Sequence, residues 1–223
     1  MKLPRRVLFA GAHCDDIELV AGGLLAELCL GQNREVGVLV FSDHRGVVDD
    51  ATAARAEQEF RENLARLESE TARRVRNHTA FMLPACRGAF EAERGRIYAA
   101  LEELRGDYDC VVTHQPLETN QDHAQVACEA QRVFKAHATL LGGEFPSNDL
   151  GQFVPHVYVE LSERALELKV AMIDHYSSQK FGGRPYFDAD TVRGLARMRG
   201  SQIRARAAEA FTVAARAIVR TGS

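Results

Sequence analysis

A histidine and two aspartates lie close together near the start of the chain. His13, Asp15 and Asp16 directly follow the apolar run 7–12. His13 and Asp16 flank a predicted strand-to-helix turn, so their side chains can converge on one point. An imidazole nitrogen and a carboxylate oxygen suit zinc or a similar divalent ion. Asp15 cannot fully share that direction, and a carboxylate held beside a metal-activated water is a good general base.

The two aspartates also have a simpler interpretation as helix caps. Acidic residues are favoured in the first turn of a helix by its dipole. Capping explains one aspartate well and two less well, and it leaves His13 unexplained. For this cluster alone, both interpretations stay open.

A second pair of candidate residues, Asp122 and His123, follows a later predicted strand, 110–114. If this strand neighbours the first one, His123 can complete a set of two imidazoles and one carboxylate with an open position, as in catalytic zinc sites. Asp122 is then expected to orient an imidazole or a nearby backbone group. A cap on the helix near Asp122 is again the alternative.

Alternating strands and helices must position these residues. Apolar runs predict strands over 7–12, 36–41, 79–83, 110–114, 139–145 and 154–161. Helical spacing predicts helices over 17–30, 53–67, 94–104, 122–136, 163–176 and 191–210, the last with a break at Gly200. The alternation predicts a three-layer α/β/α sandwich with a mostly parallel, Rossmann-like sheet, in one domain over 1–223. Ligands then bind beyond the carboxyl ends of the strands, where the loop-like segments 142–152 and 179–190 could rim a pocket.

The composition and net charge exclude several classes of protein. Hydrophobic residues make up 46% and charged residues 26% of 223 residues, which excludes a disordered or fibrous chain. A net charge of −3 argues against a nucleic-acid partner. The apolar runs are too short for a membrane span or an export signal, and five scattered cysteines without CxxC indicate a reducing cytoplasm. The missing GxGxxG argues against a dinucleotide-binding oxidoreductase.

The first cluster resembles a known family motif. Residues 12–19, read with Gly22 and Gly23, are similar to the AHPDD(x)E motif of the PIG-L/LmbE-like zinc-dependent N-deacetylases, and residues 120–123 are similar to the family's HxDH. The resemblance implies a zinc cofactor held by three residues, His13, Asp16 and His123. It also implies that Asp15 takes a proton from the zinc-bound water. The expected substrate is a small N-acetylated amino sugar or sugar conjugate, nucleotide-linked or from a glycan or antibiotic pathway. The ligand set tolerates iron, manganese and cobalt as well, and a homo-oligomer is compatible with the sequence.

Two positions depart from the family pattern. Cys14 replaces a proline, with little expected effect. Asn120 replaces the first histidine of HxDH, which in the family stabilises the oxyanion and protonates the leaving amine. An amide can still donate a hydrogen bond but cannot serve as an acid, at a cost of about a hundredfold to ten-thousandfold in rate. Either Glu118, His114 or Asp15 supplies the proton, or the chain is a slow, chemically altered or non-catalytic sugar-binding relative.

Four residues are candidate substrate contacts. His44 and Arg45 follow the second predicted strand and are expected to face the same cleft. Arg55 on the next helix and Glu118 complete the group. An exposed loop is the alternative for the first two, and an ion pair with Glu59 is the alternative for Arg55.

Overall fold

A seven-stranded sheet forms the centre of the molecule. The computed structural model describes residues 4–180 and 183–218. In chain order the strands are β1 (Arg6–His13), β2 (Glu35–Ser42), β3 (Val75–Asn77), β4 (Cys110–His114), β5 (Thr139–Gly143), β6 (Val157–Glu160) and β7 (Ala208–Val213). Their spatial order is β3-β2-β1-β4-β5-β7-β6. The pairings from β3 to β5 are parallel, whereas β7 runs antiparallel to both of its neighbours.

Helices cover both faces of this sheet. They are α1 (Asp16–Leu30), α2 (Asp50–Thr71), α3 (Ala89–Ala92), α4 (Arg94–Glu103), α5 (Gln121–Phe134), α6 (Glu163–His175) and α7 (Ala189–Ser201). Val7 and Phe9 of β1 pack into a core with α1, α2, α6 and α7, while Leu8 and Ala10 pack into a second core with α3, α4 and α5. Successive side chains of a strand point to opposite faces, so β1 is buried on both sides. The predicted three-layer α/β/α sandwich with a mostly parallel sheet is confirmed.

The third strand differs from its prediction. The segment 79–83 was expected to be a strand, but β3 is the short segment Val75–Asn77. Phe81 has a left-handed φ of 42°, which a continuous strand does not allow. Its ring is buried and packs edge-on against Phe60, 6.0 Å between centroids. The apolar character of this segment therefore reflects burial of a loop rather than a strand.

The last predicted helix is also wrong in its second half. Instead of continuing through residue 210, α7 ends at Ser201 and the chain turns through Arg204, which has a φ of 63°. The chain then enters β7, which lies between β5 and β6 and buries Phe211 completely. The alanines of this segment favour a helix, and pairing with strands on both edges overrides that local preference.

Among the described helices, none is long and apolar enough to cross a lipid bilayer.

Candidate metal centre

The order of the strands brings the two predicted clusters together. β1 lies between β2 and β4, so the loops after these three strands meet at one edge of the sheet. They open into a cleft of about 200 Å³. Its lining includes all three predicted metal ligands and the predicted catalytic groups: His13, Asp15, Asp16, Asn120, Asp122 and His123.

Three of these side chains form a compact set of donor atoms. Nδ1 of His13 lies 3.3 Å from Nε2 of His123 and 3.4 Å from Oδ2 of Asp16. Nε2 of His123 lies 3.2 Å from Oδ1 of Asp16. Ligands at about 2.0–2.1 Å from a tetrahedral ion are about 3.3 Å apart, so this spacing fits a single zinc-sized cation. The three residues are buried and could hold a metal ion.

Each imidazole of this set is oriented by a carboxylate on its other nitrogen. Nε2 of His13 is 3.2 Å from Oδ2 of Asp122, and Nδ1 of His123 is hydrogen-bonded to Glu118. Asn148 donates to the same Glu118 oxygen at 2.7 Å. Such partners leave the inner nitrogens free for a metal and fix the ring orientation.

Neighbouring charges shift the pKa values of the side chains in this cluster. Burial disfavours a charged His13, but Asp16 and Asp122 outweigh burial and raise the pKa of His13 to about 10. Burial would raise the pKa of Glu118, but His123 and His114 outweigh it and lower that pKa to about 2. Without a metal, His13 therefore carries a proton at neutral pH and Glu118 is ionised.

His114 packs against His123 on the side away from the cleft. Its ring is fully buried and stacks on His123, with centroids 3.9 Å apart. Its Nε2 lies 3.1 Å from the amide nitrogen of Ala12 and 3.2 Å from Oδ2 of Asp16, and its Nδ1 lies 3.5 Å from Oε2 of Glu118. Neither His114 nor Glu118 is among the described residues that line the cleft. Glu118, expected to contact substrate, instead holds His123.

Neither aspartate of the first cluster makes a side-chain cap on α1, although Asp16 lies in the first turn, where the helix dipole favours a carboxylate. Asp15 occupies the N-cap position of α1, but its side chain makes no capping hydrogen bond. Its Oδ1 lies 3.0 Å from Nε2 of His44. Asp16 accepts from the backbone amide of His13 at 2.7 Å, which turns its carboxylate back toward the predicted ligands. Both aspartates therefore line the cleft.

The helix cap expected near Asp122 is present, and the side chain of Asn120 provides it. Its Oδ1 accepts from the backbone amides of Asp122 at 2.9 Å and His123 at 3.5 Å. Asn120 thus begins α5 and fixes the orientation of its first turn, from which His123 projects. With Oδ1 engaged, the Nδ2 amide group is the part of Asn120 left to face the cleft.

The predicted substrate contacts separate into two groups. His44 lines the cleft, whereas Arg45 and Arg55 are not among the described residues that line it. Arg45 is paired with buried Asp43. Arg55 is largely exposed and donates to Glu59 at 3.1 Å and to Ser177 at 2.8 Å, so the expected ion pair with Glu59 is present.

Sequence reasoning located the far wall of the cleft in two loops but assigned no role to the residues that form it. Both loops singled out as pocket rims contribute to it. The segment 142–152 supplies Phe145 and Asn148, and the segment 179–190 supplies Arg184 and Tyr186. Neither of the two predicted metal-ligand clusters contains these residues, and their position in loops was the signal for the pocket rim.

Comparison with known proteins supports the fold. Among solved structures, N,N'-diacetylchitobiose deacetylase from Pyrococcus horikoshii is 19% identical with a TM-score of 0.67, over 93% of this chain and 83% of that one. Teicoplanin deacetylase Orf2 is 15% identical with a TM-score of 0.65, over 92% and 96%. The 4-carboxy-2-hydroxymuconate hydratase GalB from Pseudomonas putida KT2440 is 16% identical with a TM-score of 0.71, over 99% and 100%.

Sequence comparison gives the family. No curated protein was found to match the chain. The profile of PIG-L, the GlcNAc-PI de-N-acetylase family, matches residues 8–134, which contain both clusters and more than half of the chain. The chain therefore belongs to the PIG-L family of de-N-acetylases.

Proposed function

We propose that this protein is a metal-dependent amide hydrolase that removes an N-acetyl group from an amino sugar or sugar conjugate. The observation that carries the proposal is the position of Asp15. Its carboxylate lies in the cleft beside the donor set of His13, Asp16 and His123 without belonging to that set. A buried carboxylate next to a metal site is what activation of a water requires.

Zinc is the expected cofactor, and His13, Asp16 and His123 would hold it. The donor chemistry fits, because two imidazoles and one carboxylate leave a position open for water or substrate. When bound, the ion would lower the pKa of a water molecule and polarise the amide carbonyl. Iron, manganese and cobalt suit the same ligands, so availability would select among them.

The remaining steps belong to the side chains around the cleft. Asp15 would take a proton from the attacking water. The Nδ2 group of Asn120 would donate a hydrogen bond to the oxyanion that develops on the amide oxygen. The leaving amine needs a proton, and Asp15 would return the one it accepted, since Glu118 and His114 are buried behind His123.

The cleft supports a small polar substrate. Asn148, Arg184 and Tyr186 supply amide, guanidinium and hydroxyl groups suited to sugar hydroxyls or a linked phosphate. Chitobiose deacetylase and teicoplanin deacetylase, which share the fold, are named for an amino sugar and a glycopeptide antibiotic. We therefore propose an N-acetylated amino sugar, free or within a conjugate, as the substrate.

We also propose a cytoplasmic location, in which the five free cysteines would stay reduced.

The direct test is acetate release from a panel of N-acetylated sugars and UDP-sugars. Metal-free protein is assayed with and without one equivalent of zinc, and Asp15→Asn is the matched control. Zinc-dependent, multiple-turnover release by the wild type, with zinc bound but turnover lost in Asp15→Asn, is the expected result. A fully active Asp15→Asn variant would show that the base is assigned wrongly.

Asn120 favours one alternative, which is altered chemistry on the same scaffold. An asparagine in place of the motif histidine removes an acid, and a hydratase, GalB, shares the fold. A hydratase adds water across a double bond and expels no amine. Zinc binding without acetate release from any amino sugar, together with hydration of an unsaturated carboxylic acid, would favour this alternative.

A further inference from the structure

His44 has a backbone conformation that histidine seldom adopts. Its φ is 69°, in the left-handed region that favours glycine. Surrounding hydrogen bonds hold it there. The amide of His44 donates to Oγ of Ser42 at 3.1 Å, and the amide of Arg45 donates to Oδ1 of Asp43 at 3.1 Å. The carbonyl of His44 accepts from the amide of Val47 at 3.1 Å. A strained residue persists only where its surroundings determine it so fully.

This conformation directs the imidazole into the catalytic cleft. The ring of His44 stacks on the ring of His13, with centroids 4.8 Å apart and planes 13° from parallel. Its Nε2 lies 3.0 Å from Oδ1 of Asp15. The side chain is 13% exposed, so it lies between the two residues rather than in solvent.

Among the described side chains, His44 alone forms a hydrogen bond with the carboxylate of Asp15. Although Asp15 begins α1, its carboxylate does not cap the helix. The bond from His44 is the one side-chain hydrogen bond that the described part of the chain gives this carboxylate. A carboxylate accepts and cannot donate when ionised, so Nε2 of His44 carries the proton. One oxygen of Asp15 is thereby engaged, and the other is left for a water in the cleft.

We propose that His44 is a positioning residue that holds Asp15 in the orientation needed to act as the base. The inference rests on the proposed function and differs from the role expected from the sequence, in which His44 contacts the substrate. In the left-handed conformation that the loop after β2 gives His44, its Nε2 lies 3.0 Å from Oδ1 of Asp15. A substrate contact needs no such bond.

Two substitutions separate the hydrogen bond from the ring. His44→Phe keeps a flat ring to stack on His13 but removes Nε2. His44→Gln removes the ring but places an amide donor at a similar distance. Both variants have the same unfavourable φ, so their comparison is matched. Kinetics on the best acetylated sugar, zinc affinity by competition with a chelator, and the thermal midpoint are measured for each.

We expect His44→Phe to lower kcat by about a hundredfold, the typical effect of misplacing a catalytic group by about 1 Å. KM and zinc affinity should stay within about twofold of wild type, because neither the substrate contacts nor the ligands change. His44→Gln should recover most of the lost kcat. Combining His44→Phe with Asp15→Asn should add little to the effect of Asp15→Asn alone.

Other results would overturn the inference. A raised KM with unchanged kcat in both variants would make His44 a substrate contact. Equal loss in His44→Phe and His44→Gln would make the ring, not the donor, the important part. A fully active His44→Phe would remove His44 from the machinery while leaving the proposed function intact. If the wild type itself released no acetate with zinc bound, the proposed function and this inference would fail together.

Discussion

Lys169 and Glu209 form a buried ion pair that binds both sides of an interruption in α1. The interruption is at Ala21, whose φ of −150° and ψ of 18° are not helical. Nζ of Lys169 lies 2.7 Å from Oε1 of Glu209 and donates to the carbonyl of Leu19 at 2.9 Å. Backbone groups freed by a broken helix need partners, and this ion pair provides them.

Gly22 and Gly23, the glycine pair of the family motif, lie against the same ion pair of Lys169 and Glu209. Glu209 accepts from the amides of Gly23 at 2.8 Å and Leu24 at 2.7 Å. A Cβ on Gly23 would lie 2.5 Å from Cδ1 of Leu161, and one on Gly22 would lie 3.1 Å from Lys169. The two glycines thus allow Lys169 and Glu209 to approach α1, which carries Asp16 at its start.

Removing one member of this pair should strongly destabilise the fold. Lys169→Met leaves the Glu209 charge buried without its partner, which costs about 3–5 kcal/mol. Urea unfolding measures the loss. Arg105→Met is the matched control, because its pair with Glu102 at 3.3 Å is about 40% exposed on both sides and should contribute less than about 1 kcal/mol. Equal effects of the two substitutions would contradict this account of the interruption.

Glu118 should control metal affinity rather than proton transfer. Its carboxylate holds Nδ1 of His123, and such partners contribute about 10–100-fold in metal affinity. Glu118→Ala should weaken zinc binding by that factor in a chelator competition, and Glu118→Gln, which keeps an acceptor oxygen, by less. Exposed Glu103→Gln serves as a control. Lost turnover at unchanged zinc affinity in Glu118→Gln would instead indicate that Glu118 is the acid.

Metal binding should release protons. Burial would lower the pKa of His13, but Asp16 and Asp122 outweigh it and raise that pKa to about 10. In the metal-free protein, His13 is therefore protonated at pH 7. A metal must displace that proton, and its affinity should fall as the pH falls. Calorimetry in buffers of different ionisation enthalpy counts the released protons. Asp122→Asn, which removes one of the raising carboxylates, should lower the count at pH 7 to 8. An unchanged count would show that the proton lies elsewhere.

Glu18 should make the protein less stable at alkaline pH. The hydroxyl of Tyr176 lies 2.6 Å from the carbonyl of Cys14 and 2.9 Å from Oε1 of Glu18. Burial raises the pKa of Glu18 to about 8, although hydrogen bonds from its own backbone, Tyr176 and Asn63 oppose the rise.

The sign of the pH effect follows from proton binding. Folded Glu18 keeps a proton that unfolded glutamate loses above a pH of about 4.3. The folded state therefore binds more protons between that pH and about 8, and the free energy of unfolding falls as the pH rises through this window. Urea unfolding at pH 6 and pH 8.5 measures the fall, and Glu18→Gln should abolish most of it. The same fall in both proteins would exclude Glu18 as its source.

Asn120→His should have opposite effects on rate and stability. The side chain of Asn120 caps α5, and losing such a cap costs about 0.5–2 kcal/mol. An imidazole at this position restores an acid next to the cleft, so the rate of acetate release should rise while the thermal midpoint falls. An unchanged or lower rate would mean that the site has adapted to asparagine for other chemistry.

Local sequence was enough to locate the predicted ligands. An apolar run followed directly by His13, Asp15 and Asp16 is visible in the sequence alone, because strand and turn signals act over a few residues. The same holds for Asp122 and His123 after β4. Strand alternation also predicted the layered fold, since parallel strands require helical crossovers.

The hydrogen-bond partners of the site side chains depend on the tertiary structure. Asp122 orients His13 across 109 residues of chain, and His44 bonds to Asp15 across 29. These pairings depend on the order of strands in the sheet and on a single left-handed residue, neither of which leaves a periodic signal. β7 shows the same effect for a whole strand, because its pairing with β5 and β6 overrides the helical preference of its alanines. Local sequence patterns were therefore sufficient to predict the ligand types and the layers of the fold. The packing of distant segments decided their hydrogen-bond partners, because a hydrogen bond depends on distances in space rather than along the chain.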